Sequence, residues 1–147
     1  EQTSHVIPAL ILKMHNAKLS GAPRVEVWGS GRPLREFLYV EDLADAIVTV
    51  ATRYSGDMPI NIGSGEEISI ADLAQIIKSV VGYGGAVVFN PDKPDGMPRK
   101  YLDCTRLSAM GWSARVRLED GLAKTYEAFC RDSRVSISAG MRVASCV

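Results

Sequence analysis

Between Trp28 and Ala46 the chain commits to a turn, a strand and a helix in quick succession, and that run limits the fold more than any other stretch. Gly29-Ser30-Gly31-Arg32-Pro33 reads as a turn, because glycine tolerates left-handed backbone and proline lacks the N–H a ladder needs. The apolar residues that follow predict a strand over about 36–40. Asp42 then stands where a helix over about 42–54 would begin, placed to cap it or to complement its positive end. Leu43, Ala46, Ile47 and Val50 recur at helical spacing and mark the face that this helix would bury.

The same alternation of helix and strand continues on both sides. Ile7, Leu10, Ile11 and Met14 form one stripe of a helix over 7–19, with Pro8 in its first turn and Gly21-Ala22-Pro23 ending it. Val25 and Val27 alternate with Glu26 as a strand over 24–28. A short strand is expected over 59–62, and Gly63-Ser64-Gly65 turns the chain. Ser69 with Asp72 three residues on resembles a capping box. The helix it opens carries Leu73, Ile76, Ile77 and Val80 and stops at Gly82. A strand over 86–89, a polar loop over 90–100, a short helix over 105–110 and a last helix over about 118–130 complete the ordered elements. This is an α/β pattern. Residues 131–147 have no period and read as a disordered or unrelated tail, separate from the region 1–130.

Composition excludes more than it selects. The 147 residues hold 17 Lys plus Arg and 17 Asp plus Glu, so there is no net charge to draw nucleic acid or an anionic membrane. No apolar run approaches the ~20 residues that cross a bilayer. Cys104, Cys130 and Cys146 are odd in number and lack Cys-x-x-Cys spacing, which argues against a disulfide framework or zinc site and favours a reducing, cytoplasmic setting. The first residue is Glu, so the start is expected to be processed or an excerpt of something longer.

Several side chains have the right chemistry for a ligand. Trp28 offers a flat indole at a strand end, Arg35 paired donors suited to phosphate oxygens, and Asp95 a carboxylate in a Pro/Gly loop. Imidazole as a side chain can give or take a proton near neutral pH, which makes His5 a candidate for proton transfer. Taken alone, it reads as a polar residue at a helix entry, bonded to backbone. His15 and Arg32 read as surface residues, and Gly63-Ser64-Gly65 fits neither phosphate-cradle pattern.

Five segments in order carry a resemblance: Ser4-His5-Val6-Ile7-Pro8-Ala9-Leu10-Ile11, Trp28 to Phe37, Asn61-Ile62-Gly63-Ser64-Gly65-Glu66-Glu67-Ile68-Ser69-Ile70, Lys93-Pro94-Asp95-Gly96-Met97-Pro98-Arg99-Lys100, and Gly111-Trp112. Over about residues 4–129 the chain resembles the carboxyl-terminal, substrate-binding part of the extended short-chain dehydrogenase/reductases. The GDP-4-keto-6-deoxy-mannose epimerase/reductases are the nearest in pattern.

The resemblance implies an α/β, NAD(P)-binding Rossmann-like fold whose nucleotide-binding half is largely missing here. It implies GDP-4-dehydro-6-deoxy-D-mannose as substrate, NADPH as cofactor and a homodimer for the whole enzyme. It reverses the reading of His5, which becomes the catalytic acid/base and a cofactor contact. It makes Lys13, Trp28, Arg35 and Asp95 substrate-binding, although Lys13 stands where the family usually has arginine and loses the bidentate fork. Arg99 is implied more weakly, as charge near the phosphates.

The Gly-rich dinucleotide fingerprint is absent, and none of Tyr39, Tyr54, Tyr83 and Tyr101 has a lysine four residues on. The chain alone is therefore expected not to turn over, and the helix over 42–54, which in such enzymes leans on the Rossmann sheet, is expected to expose its apolar stripe. Two other readings stay open: a UDP- or dTDP-sugar epimerase or dehydratase, and a non-catalytic nucleotide-sugar binding module.

Overall fold

The computed structural model describes residues 5–138, with side chains through residue 132. The first helix, α1 (Val6–Ser20), ends in a left-handed Gly21 at φ 66°, and the Ala22 N–H returns to the Ala17 carbonyl at 2.9 Å. That pattern satisfies the last carbonyls and turns the chain back sharply. Strand β1 (Arg24–Trp28) follows, with Val25 and Val27 inward. It pairs in parallel with β4 (Ala86–Asn90), Arg24 opposite Ala86 and Trp28 opposite Asn90.

Between these strands lie α2 (Val40–Arg53) and α3 (Ile70–Val81). In α3 the expected cap is present: Ser69 Oγ accepts from the Asp72 N–H at 3.0 Å. The Asp72 carboxylate takes the Ser69 hydroxyl at 2.6 Å, where a longer Glu would reach for backbone. A second, three-stranded sheet runs β3–β2–β5, from β3 (Glu67–Ser69), β2 (Leu34–Glu36) and β5 (Arg99–Lys100). Strand β2 is antiparallel to β3 and parallel to β5. The short helix α4 (Thr105–Ala109) and the long α5 (Leu118–Ser138) close the described chain.

The main core lies where α1, α3 and α5 meet the β1–β4 pair. Met14, Leu73, Ala74 and Ile77 have no exposed surface at all. A smaller cluster of Ala46, Leu107 and Trp112 sits under α2 and α4.

Five expectations need correction. The strand expected over 36–40 is β2, Leu34–Glu36, because pairing with β3 and β5 fixes its register. Residues 59–62 join no ladder among the described residues, although Ile60 and Ile62 pack on the smaller cluster. Asp42 does not cap α2, which starts at Val40, but stands in its first turn, where its charge complements the positive end; it is buried and accepts the Arg115 and Val116 N–H groups at 3.0 and 2.9 Å. The loop 90–100 contains strand β5. The tail expected from residue 131 is helical to Ser138 as a continuation of α5, and 139–147 lie outside the described residues.

His15 also departs from its surface reading. Its Nδ1 lies 3.0 Å from the Tyr126 hydroxyl, and its ring meets Tyr126 and Phe129 edge-on. Burial, then nearby Lys18, holds its pKa below the usual histidine value.

Candidate nucleotide-sugar site

Topology explains why residues far apart in sequence meet. Strand β1 is parallel to β4, and β2 is parallel to β5. The turn from β1 to β2 and the loop from β4 to β5 therefore span the same gap in the same direction, side by side. Their ends are bonded: the Gly29 N–H donates to the Asn90 carbonyl at 2.9 Å and the Leu34 N–H to the Pro98 carbonyl at 2.9 Å.

Midway, Asp95 clamps the loop to the turn. Its carboxylate accepts the Ser30 N–H at 2.5 Å and the Ser30 hydroxyl at 2.7 Å. A Cβ on Gly29 would collide with Asp95 Oδ1, so the clamp requires glycine there, at φ 88°. The Ser30 side-chain bond, then the Ser30 backbone bond, holds the Asp95 carboxyl below the usual carboxylate range and keeps it charged. The turn itself is seated on the core. The Ala71 N–H donates to the Gly31 carbonyl at 2.9 Å, and a Cβ on Gly31 would come within 2.8 Å of the Phe89 ring.

Three of the expected binding residues gather on this rim. Trp28 is 63% exposed at the end of β1, with the Lys93 ammonium 5.3 Å from its ring centroid. Asp95 sits at the clamp. Arg35 reaches towards the same loop, its Nη2 being the atom nearest a Cβ built on Gly96, at 3.9 Å. One Arg35 N–H is spent on the Leu34 carbonyl at 2.7 Å; among the described residues the guanidinium enters no ion pair. A cavity of about 130 Å³ opens beside the clamp, lined by Arg32, Pro33, Asp95, Gly96 and Pro98. Arg32, read as plain surface, thus shares the wall with Asp95 and adds to the field that keeps it charged.

Lys13 lies apart from that rim. Its ammonium donates to the Glu26 carbonyl at 2.8 Å, which pins α1 along β1. His5 is exposed at the start of α1, and its side chain makes no cap bond. From Lys13 back to His5 the helix rises about 12 Å, and from Glu26 on to Trp28 the strand advances about 7 Å. The two elements run in opposite senses, so His5 and Trp28 lie towards one end of the pair.

Arg99 is engaged by Glu67 through two parallel bonds, Nε to Oε1 and Nη2 to Oε2, and its guanidinium lies 5.0 Å from the Tyr101 ring, so it ties β5 to β3. The Gly63-Ser64-Gly65 turn holds the Glu36 carboxylate, which accepts the Gly65 N–H at 2.7 Å and the Leu102 N–H at 3.1 Å. An anion of the chain itself fills that turn, and a Cβ on Gly63 would strike it. Glu36, Ser30 and Lys93 were not singled out by sequence; only their position inside the quoted segments hinted at them.

Among the described residues no group of His, Cys, Asp or Glu is arranged to hold a metal, and no helix is long and apolar enough to cross a membrane. The residues do not form a dinucleotide cradle either. The glycine turn after β1 leads into β2 rather than into a helix N-terminus, so no pyrophosphate is met by helix N–H groups there.

The chain is similar to known proteins over most of its length. The NAD dependent epimerase/dehydratase family model matches residues 1–63. GDP-L-fucose synthase 1 of Arabidopsis thaliana is 50% identical over 131 residues, 89% of this chain and 41% of that protein. The GDP-L-fucose synthase of Sinorhizobium fredii is 54% identical over 127 residues, 86% of this chain and 40% of that protein. A GDP-L-fucose synthetase from Naegleria fowleri superposes with a TM-score of 0.83 at 30% identity, over 90% of this chain and 41% of that one, and it has also been solved bound to NADP. The chain thus spans about two-fifths of the length of the curated relatives it matches. In sequence and fold this chain is similar to the GDP-L-fucose synthases over that part of their length, and its first 63 residues match the NAD dependent epimerase/dehydratase family.

Proposed function

We propose that the chain is the nucleotide-sugar-gripping, carboxyl-terminal part of a GDP-L-fucose synthase. The whole enzyme would epimerise GDP-4-dehydro-6-deoxy-D-mannose at C3 and C5 and reduce it to GDP-L-fucose, as a homodimer. The observation that carries this reading is the gathering of Trp28, Arg35 and Asp95 on one rim, in a chain about half identical to synthases of that name.

In this reading the Trp28 indole covers the base or sugar face and the Arg35 guanidinium pairs with the diphosphate. Asp95 uses the lone pairs left after binding Ser30 to accept ribose hydroxyls. The 4-keto group acidifies the neighbouring C–H bonds, so a base can take a proton from C3 or C5 to leave an enolate, and an acid can return it from the other face. His5 is the residue we assign to that exchange. Lys13 serves by holding α1 on β1. The nicotinamide cofactor, NADPH, would supply hydride; His5 is also the residue we assign to a contact with it, and the reduction itself is assigned to none of the residues described.

Titration of the 147-residue chain with GDP, UDP and dTDP tests the reading. GDP should bind tightest, and Arg35→Ala should weaken it about tenfold or more. The chain with NADPH should make no GDP-L-fucose. Preference for UDP or dTDP would replace this reading with the neighbouring epimerases or dehydratases.

A further inference from the structure

Resting on the nucleotide-sugar reading, we infer that Lys93 reads the base of the nucleotide, selecting a purine that presents two acceptors on one edge. Lys93 lies in the loop after β4, and its backbone is held from both sides. The Lys93 N–H donates to the Asn90 carbonyl at 3.2 Å, and the Asp92 N–H donates to Asn90 Oδ1 at 3.0 Å. Asn90 is itself the ladder partner of Trp28. Two residues beyond Lys93, Asp95 is clamped to Ser30. The backbone is thereby set beside Trp28, and the ammonium lies over the indole, 5.3 Å from its centroid.

Nothing else claims that charge. Among the described residues Lys93 enters no ion pair, although acidic Asp92 and Asp95 flank it in sequence. A cation over an exposed indole is held weakly and given up readily. A base stacking on Trp28 comes within reach of the ammonium and displaces it from the ring. Lysine carries three donors and no acceptor. It is therefore satisfied by O6 and N7 of guanine or hypoxanthine, whereas adenine sets an amino donor beside its N7. The loop supplies the rest of the order. Lys93 stands at the base end, Asp95 in the middle, and Gly96 beside Arg35 at the end assigned to the diphosphate. Selectivity is then a difference between acceptor-rich and donor-bearing edges rather than an overall gain in charge.

Calorimetric titration of the chain and of Lys93→Met with GDP, IDP and ADP tests this. Lys93→Met keeps the aliphatic stem, and the side chain is exposed, so circular dichroism should be unchanged. The variant should weaken GDP and IDP together by about tenfold and leave ADP within about twofold, while Lys93→Arg should retain the preference. Equal weakening of all three would make Lys93 a general phosphate cation and overturn the inference. An unchanged GDP affinity would overturn it too, with the nucleotide reading intact. Failure of all three diphosphates to bind the unsubstituted chain would remove both.

Discussion

The molecule has two apolar clusters of unlike completeness. Around β1 and β4, helices α1, α3 and α5 close over a core in which Met14, Leu73, Ala74 and Ile77 are wholly covered. Around α2 the buried apolar residues of the second cluster are Ala46, Leu107 and Trp112, and the outer side of that helix leaves Val40 66%, Ile47 52% and Val48 62% exposed. Both helices, α2 and α3, carry apolar stripes at the same spacing. The difference is what lies opposite. Periodicity tells that a face is apolar; it does not say that the chain holds something to cover it. The second region is held instead by polar ties, Asp42 to the 115–116 backbone and the Trp112 Nε1–H to Asp45 at 2.8 Å.

That contrast can be broken at three points. Ile77→Ala, in the closed core, should destabilise the chain by about 2–5 kcal/mol, read as a fall in urea midpoint. A loss below 1 kcal/mol would mean the core is looser than its burial implies. Asp42→Ala strips two part-buried N–H groups of their buried acceptor and should cost about 1–3 kcal/mol. Asp42→Asn, which keeps an acceptor oxygen, should recover part of it, and equal losses would assign the effect to charge alone. Ile47→Gln should move thermal stability by no more than about 0.5 kcal/mol. It should also reduce self-association in sedimentation runs, since it removes apolar surface from the open side. If it destabilised as much as Ile77→Ala, the two regions would not differ as described.

How much the sequence disclosed depended on the range of the interaction. Helix α3 was legible in full, because its cap at Ser69, its stripe and its glycine stop at Gly82 lie close together in the chain. Strand β1 was legible for the same reason. Strand β2 was misplaced towards the apolar residues 37–40 because its register is set by partners in β3 and β5. Residues 59–62 look like a strand by composition yet have no ladder partner among the described residues. On the rim, Trp28, Arg35 and Asp95 are the expected binding residues that the fold brings together. The division of labour there was not legible: Asp95 is a clamp on Ser30, Lys13 is spent on a carbonyl, and Lys93 stands over the indole.

By itself the sequence determined which segments are helical, where glycines stop them, and which side chains have the chemistry for a ligand, since propensity, capping and side-chain chemistry act over a few residues. Only the tertiary structure decided that the two connecting loops lie side by side, that Glu36 fills the Gly63–Gly65 turn, and that one side of α2 stays open. Those outcomes rest on strand pairing and packing between residues up to about 70 apart in the chain, which no local pattern encodes.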